Sequence, residues 1–432
     1  MSIGFRIDWN ALLLRMACAA LALYGGHGQA QQQAAPPASA TSSIAAPAPL
    51  LRTGKPVDWW FVFKLNTSAF PGCGGPDRAC PFGGEVQNYR FGQQFLYGSS
   101  EEPTLQKGGG CVGETTEGPL GATFDQVYNA SHYYYVLWND QFYGDPFIAG
   151  CTMMCASPWG HSKGMLAWND AGEGFVLQVT TPSWPAAGSK QFPRKTDGNT
   201  LGCVRDDDVK VSQHFFSLRL NADDVVAVLH GLQNASVATD PANRQIVHNG
   251  GPAHIRALVA GLGKKSRSTV VLKVRLSTGV ALISKPSALH VPPWQMVSSL
   301  LGGVALRSAT WWTTPKIDTT QADTPIACWD ESLQPSGPVE IATTGQWMGS
   351  SFGLRGGPGS NFNHAKIGVS VGSARRFSVF GDMNQTGSLS GPDCSVSQNG
   401  RGGLFFVVEN AMLAAGIASL LDGETAPEAP SK

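Results

Sequence analysis

A mixed α/β fold in two related lobes is what this 432-residue sequence predicts, and three observations carry it. Aromatic and β-branched runs alternate with helical patterns along the chain, as in layered α/β architectures. A His-x-Lys unit followed by a short strand, a turn and a second strand occurs twice, at His161-Ser162-Lys163 and His364-Ala365-Lys366. The two histidines stand about half a chain apart, the mark of a duplicated unit. An apolar content of 42% supports a sizeable core and excludes global disorder.

The elements follow in order. Residues 1–30 read as a secretory signal: Arg6 and Arg15 flank a short apolar run, and Gly28-Gln29-Ala30 resembles a small-residue cleavage site. Residues 31–52 form an Ala/Pro/Ser/Gln linker. A first lobe is expected over 53–250 and a second over 251–422, with a frayed tail at 423–432. In the first lobe, residues 57–65 (VDWWFVFKL) read as a buried strand, as do 132–139 (HYYYVLWN). Residues 165–168 and 175–180 read as two strands joined by the turn 169–174. Residues 221–230 open on a polar cap and continue with a helical apolar period. In the second lobe, 269–276 and 279–284 read as a hairpin, and 293–301 and 409–421 as helices.

Charge narrows the function classes. Thirty-one Lys+Arg balance thirty-one Asp+Glu, which excludes a generic polybasic nucleic-acid binder at neutral pH. Nine histidines would make the chain cationic in mild acid. Without Cys18, eight cysteines remain, an even number that in an exported chain points to disulfides; Cys73/Cys80 and Cys151/Cys155 are plausible local pairs. No segment is long and apolar enough for a membrane span.

On an extended segment, residues i and i+2 share a face, so each His-x-Lys delivers an imidazole beside an ammonium. Two such pairs in one cleft suit phosphodiester cleavage. One histidine attacks phosphorus, the other moves the proton of the leaving oxygen, and the lysines neutralise developing charge. No metal or other cofactor is called for.

At these residues the chain resembles the deoxyribonuclease II family of the phospholipase D superfamily, as a bacterial exported member. The resemblance rests on residues 57–65, 135–141 and 160–164, on 174–182, on Asn363-His364-Ala365-Lys366, on Gly381-Asp382-Met383-Asn384, and on Gln398 with Arg401-Gly402-Gly403. It implies two phospholipase D-like α-β-α lobes about a pseudo-two-fold, with the active site at their interface. It implies a metal-independent acid endonuclease on double-stranded DNA that leaves 3′-phosphate and 5′-hydroxyl ends; the signal and linker point to a secreted or periplasmic setting. His161, Lys163, His364 and Lys366 would be the nucleophile/acid pair with its phosphate binders, His161 being favoured as nucleophile. Asp382 would orient an imidazole and Asn384 would donate to a phosphate oxygen, while Thr180, Thr181, Gln398 and Arg401 would meet substrate. The wider superfamily's acidic residue five positions after each lysine is replaced by Trp168 and Val371.

Two other readings share these features: a lipid phosphodiesterase and a non-catalytic exported DNA-binding protein. Monomer and homodimer both remain open. Asp206-Asp207-Asp208 is read as a solvated loop, and His132, His214, His230, His248, His254 and His290 as structural or surface residues.

Overall fold

Two largely antiparallel sheets, packed through a seam of phenylalanines, organise the chain. The computed structural model describes residues 45–70, 82, 94–130, 132–195 and 210–430, all within one compact unit. The first sheet holds β1 (Trp59–Lys64), β2 (Phe95–Ser99), β3 (Gln106–Lys107), β4 (Tyr134–Asn139), β5 (Lys163–Trp168), β6 (Gly174–Val179), β7 (Gln213–Leu220) and β8 (Val247–His248). Their order is β3-β2-β1-β7-β6-β5-β4-β8. The second holds β9 (Leu272–Arg275), β10 (Ala281–Lys285), β11 (Leu306–Ala309) and β12 (Val339–Ile341). A separate hairpin, β13 (Thr344–Trp347) and β14 (Ser350–Gly353), intervenes before β15 (Ile367–Ser370), β16 (Phe377–Gly381) and β17 (Gly403–Glu409) complete the second sheet. Its order is β12-β11-β15-β16-β17-β10-β9. The helices are α1 (Pro119–Tyr128), α2 (Ala222–Asn234), α3 (Ala253–Ala260), α4 (Pro293–Leu300) and α5 (Ala411–Leu420).

Every residue of β1, β5 and β6 is buried. Both faces of these strands are covered, so their sequences run apolar without alternation. The two sheets meet where Phe61 of β1 and Phe216 of β7 each stack on Phe380 of β16, both at 4.6 Å between centroids. Phe216 also meets Phe406 of β17 at 5.5 Å. Such ring pairs add to the stabilisation from their burial.

The polar start expected for the helix at 221 is a reciprocal cap. Asn221 Oδ1 accepts from the Asp224 N–H (2.8 Å) and Asp224 Oδ2 from the Asn221 N–H (3.3 Å), satisfying two orphan donors. Asp224 also accepts from the Ser277 N–H at 3.0 Å, which ties α2 to the β9–β10 turn.

Three expectations change. Residues 45–52, expected in the linker, lie along α1: the Ala48 N–H donates to Gln126 Oε1 (3.1 Å) and the Leu50 N–H to Thr123 Oγ1 (2.9 Å). Side chains of α1 satisfy a backbone that has no periodicity of its own. The tail is not frayed between 424 and 429: Ala426 and Ala429 are buried, and their N–H groups donate to Ile341 and Thr319. Glu409 ends β17 rather than opening the last helix, which Asn410 caps through its side chain. Disulfides join Cys151 to Cys155 and Cys328 to Cys394, and Cys111 is also disulfide-bonded. The signal at 1–30, linker residues 31–44, the Cys73/Cys80 pair and Asp206–Asp208 lie outside the described residues. No helix among the described residues is long and apolar enough to cross a membrane.

Candidate active site

Lys163 is the first residue of β5, and Lys366 immediately precedes β15. The sheets therefore bring both His-x-Lys segments to one place. A cavity of about 270 Å³ is lined by His161, His364, Lys366, Thr180 and Asn384, with Gln141, Met154 and Trp311 at its wall. A second cavity of about 450 Å³ shares His161 and Asn384 and extends past Gln398 and Arg401.

His161 is held from both ends. Its backbone N–H donates to the Gly402 carbonyl (2.8 Å), and Nδ1 lies 2.6 Å from the Asp382 carbonyl oxygen. A carbonyl only accepts, so Nδ1 carries the proton and Nε2 keeps its lone pair. Burial first, then the Lys163 ammonium, push the imidazole well below its ordinary value, while Asp140 pulls the other way. These surroundings favour the neutral form of His161.

His364 has a different environment. Thr180 Oγ1 lies 2.7 Å from Gln213 Oε1, which turns the Gln213 amide nitrogen toward His364 Nδ1 at 3.4 Å. Nδ1 then accepts and Nε2 carries the proton. The Trp311 ring stands edge-on to the imidazole, 4.2 Å between centroids. Lys366 Nζ donates to the His364 carbonyl (2.5 Å) and lines the cavity.

Lys163 differs from Lys366. Its ammonium is turned away from the cavity, onto Asp140 Oδ1 at 2.5 Å, and Arg401 completes the cluster at 2.9 Å from Asp140 Oδ2. Arg401 also donates to the carbonyls of Trp159, Cys155 and Gly160. Burial alone would raise the Asp140 carboxyl, but Lys163, His161 and Arg401 outweigh it and hold it well below the usual carboxylate range. Behind the segment carrying Arg401, buried Lys285 Nζ donates to the carbonyls of Leu289 (2.5 Å), Asn399 (2.8 Å) and Arg401 (2.9 Å).

Asp382 lies behind His161, and its contact with the imidazole is through the main-chain carbonyl, not the carboxyl. The carboxyl accepts from Ser162 Oγ (2.6 Å), the Leu404 N–H (3.0 Å) and Gln178 Nε2 (3.1 Å). Burial pushes it up to about 7. Asn384 is 7% exposed at the cavity wall, and its Oδ1 has no hydrogen-bond partner among the described residues. Gln398 Oε1 accepts from the Asn384 N–H at 3.3 Å. Thr181 is buried behind the wall.

Of the residues picked from sequence, His161, His364, Lys366, Thr180, Asn384, Gln398 and Arg401 line the two cavities, whereas Lys163, Asp382 and Thr181 stand behind them. Sequence reasoning missed Asp140, Ser162, Gln178, Gln213 and His214, which hold these groups in place. Asp140, Ser162 and Gln178 lie inside the blocks that carry the resemblance, but no spacing singles them out there, and Gln213 and His214 lie outside those blocks.

Two glycines make the close packing under His161 possible. A Cβ on Gly402 would come 2.2 Å from the Ala235 carbonyl oxygen, and one on Gly160 2.5 Å. Gly402→Ala is expected to cost about 1–3 kcal/mol and to shift His161 with the Gly402 carbonyl. Chemical denaturation beside turnover tests this, and unchanged stability and kcat would refute it.

The architecture and the cleft define a mixed α/β protein with a twinned His–Lys centre. The family model for deoxyribonuclease II matches residues 49–314, and the chain belongs to that family. The matched range contains the first His-x-Lys and stops before the second. Deoxyribonuclease-2-alpha of Sus scrofa is 32% identical over 158 residues, 35% of this chain and 38% of that protein. The Rattus norvegicus deoxyribonuclease-2-alpha is 29% identical over 159 residues, 35% and 39% of the two chains. Deoxyribonuclease-2-beta of Mus musculus is 27% identical over 153 residues, 34% and 36%. The chain thus spans under two fifths of the length of each of these curated relatives.

Proposed function

We propose that this chain is an acid endonuclease that hydrolyses DNA phosphodiesters through a phosphohistidine. One observation carries the reading: His161 donates from Nδ1 to the Asp382 carbonyl, which leaves Nε2 with its lone pair beside the cavity it shares with His364 and Lys366. His161 Nε2 attacks phosphorus and forms a P–N bond as the P–O bond to the 5′-oxygen breaks. His364 enters this step as the imidazolium, with the Gln213 amide turned so that Oε1 accepts from Nδ1–H; it gives its Nε2 proton to that oxygen, releasing a 5′-hydroxyl and leaving a neutral imidazole. His364 then takes a proton from water, which attacks phosphorus, breaks the P–N bond and leaves a 3′-phosphate. Lys366 and the Asn384 amide offset charge on the non-bridging oxygens. Lys163, paired to Asp140, acts by holding the field behind His161. Family membership and the names of the relatives support DNA as substrate.

An internal pseudo-two-fold belongs to this reading. Strands β1-β7-β6-β5-β4 of one sheet and β10-β17-β16-β15-β11 of the other follow one antiparallel order. Helices α1 and α4, then α2 and α5, occupy matching places in the chain. The disulfides fit an exported protein, where oxidising surroundings preserve them.

Wild-type protein is expected to nick and linearise plasmid DNA at pH 5 in excess EDTA. Failure to cleave, or cleavage only with added metal, would overturn the mechanism. The pH profile is a second check. Because burial and Lys163 push His161 down, it stays unprotonated as pH falls. The acid limb of kcat/KM should therefore lie well below the ordinary histidine value of about 6.5. An acid limb near that value would refute His161 as the neutral nucleophile.

A further inference from the structure

A buried hydrogen-bonded chain joins the two His-x-Lys segments, and its direction is fixed at one end. The Lys366 backbone N–H donates to His214 Nδ1 (3.0 Å). A backbone amide can only donate, so Nδ1 holds the lone pair and the His214 proton sits on Nε2. Nε2–H donates to Gln178 Oε1 (3.3 Å). That orients the Gln178 amide, whose Nε2 donates to Asp382 Oδ1 (3.1 Å) and the Leu404 carbonyl (3.4 Å). Asp382 then presents its own carbonyl to His161 Nδ1 (2.6 Å). His214, Gln178 and Asp382 are 0%, 1% and 3% exposed, so no solvent competes for these bonds. Burial first, then Lys366, hold His214 well below its ordinary value and keep it neutral. Neither Gln178 nor His214 lines the reaction cavity.

We propose that Gln178 and His214 are positioning residues that tie the two His-x-Lys segments together. They fix the Asp382 carbonyl that holds the His161 proton on Nδ1, and they anchor the main chain at Lys366, two residues from His364. The proposal rests on the nuclease reading for its kinetic consequence. Attack on phosphorus and proton delivery both depend on the separation of His161 and His364, and displacements near 1 Å are costly to a reaction of this kind. A packing role alone would be met by any apolar group of similar size. His214 already packs beside the stacked rings of Phe61 and Phe380, at 6.4 and 6.2 Å.

The test uses the full chain with a fluorogenic DNA duplex and ¹⁵N-histidine NMR. His214→Phe and Gln178→Met are each expected to lower kcat roughly tenfold to a hundredfold, with KM within about twofold. Gln178→Glu supplies the conservative rescue. Its protonated carboxyl offers the same donor and acceptor as the amide, so kcat stays near wild type in acid. As pH rises the new carboxylate faces Asp382, and kcat falls at a lower pH than in wild type. In the NMR spectra the wild type shows His214 protonated on Nε2 and His161 on Nδ1, and both apolar variants show a tautomer mixture at His161. A Gln178→Glu pH profile that matches wild type overturns the proposal. So does a single Nδ1–H tautomer of His161 retained in both apolar variants. If wild type cleaves no DNA at all, the nuclease reading falls, and the NMR arm still decides the tie.

Discussion

His161→Ala is expected to abolish cleavage of DNA, whereas the loss in His364→Ala depends on the leaving group. In the proposed mechanism His161 supplies the atom that bonds to phosphorus, so its removal should lower kcat by about 10⁴ or more on every substrate. In the same mechanism the His364 imidazolium supplies a proton to the departing 5′-oxygen, a contribution of roughly 10²–10⁴ on DNA. A p-nitrophenyl diester expels an anion that needs no proton. On that substrate His364→Ala should still release one equivalent of p-nitrophenol in a burst and then stall, because water is no longer activated. Burst amplitude in stopped flow, with acid-labile phosphate on the trapped protein, reads this directly. A burst from His161→Ala and none from His364→Ala would exchange the two roles. The expectation comes from the hydrogen bonds at the two imidazoles: Nδ1 of His161 faces a carbonyl, and Nδ1 of His364 faces the Gln213 amide.

The second large effect concerns stability. Asp140→Asn keeps the shape of the side chain and removes the one anion between Lys163 and Arg401. Asp140 and Lys163 are almost wholly buried, and the Arg401 side chain is 13% exposed. Breaking a buried ion pair strands its partners, at about 3–5 kcal/mol. The pH dependence has a definite sign. The folded-state value of Asp140 is depressed, so its contribution is complete above the ordinary carboxylate value of about 3.9 and is lost only as pH falls through the lower, folded value. Urea unfolding at pH 7 and at pH 5 should therefore give the same loss for Asp140→Asn. A loss that shrinks between those two values, or one under about 1 kcal/mol as at exposed pairs, would show that the cluster is not the anchor described here.

The asymmetry of the two lysines follows from this cluster. Both His-x-Lys units read alike in sequence, each an imidazole beside an ammonium. In the folded chain Lys366 lines the cavity while Lys163 is turned onto Asp140, a residue 23 positions earlier on the other side of the β4–β5 pair. One unit presents its charge to the cleft and the other uses it to hold the first histidine's surroundings.

Much of the architecture was legible because local pattern and burial agree. Residues 57–65 give β1, 132–139 give β4, and the turn at 169–174 separates β5 from β6. The helix at 221 was legible because Asn221 and Asp224 stand at the spacing of a reciprocal cap. Strands β2, β11 and β17 and helix α1 were not read, since each draws its support from neighbours distant in the chain. β17 is held between β16 and β10, and Gly118 before α1 makes no side-chain cap. Residues 424–429 looked like a frayed tail because their backbone partners, Ile341 and Thr319, lie about 80 to 110 positions earlier.

For the site, the sequence by itself singled out the candidate reacting groups, because two His-x-Lys units with matched downstream strands pair an imidazole with an ammonium through residue type and spacing. Only the tertiary structure distinguishes the surroundings from which their proposed roles are argued. Which nitrogen of His161 keeps its lone pair depends on the Asp382 carbonyl, 221 residues away, and where the Lys163 ammonium points depends on Asp140 and Arg401. Gln178, Gln213 and His214 carry no motif, and a buried hydrogen bond acquires direction only when folding places a fixed donor, such as the Lys366 N–H, against it. Residue type sets what a group can do; the acceptor or donor opposite it, set by long-range contacts, decides which of those things it does.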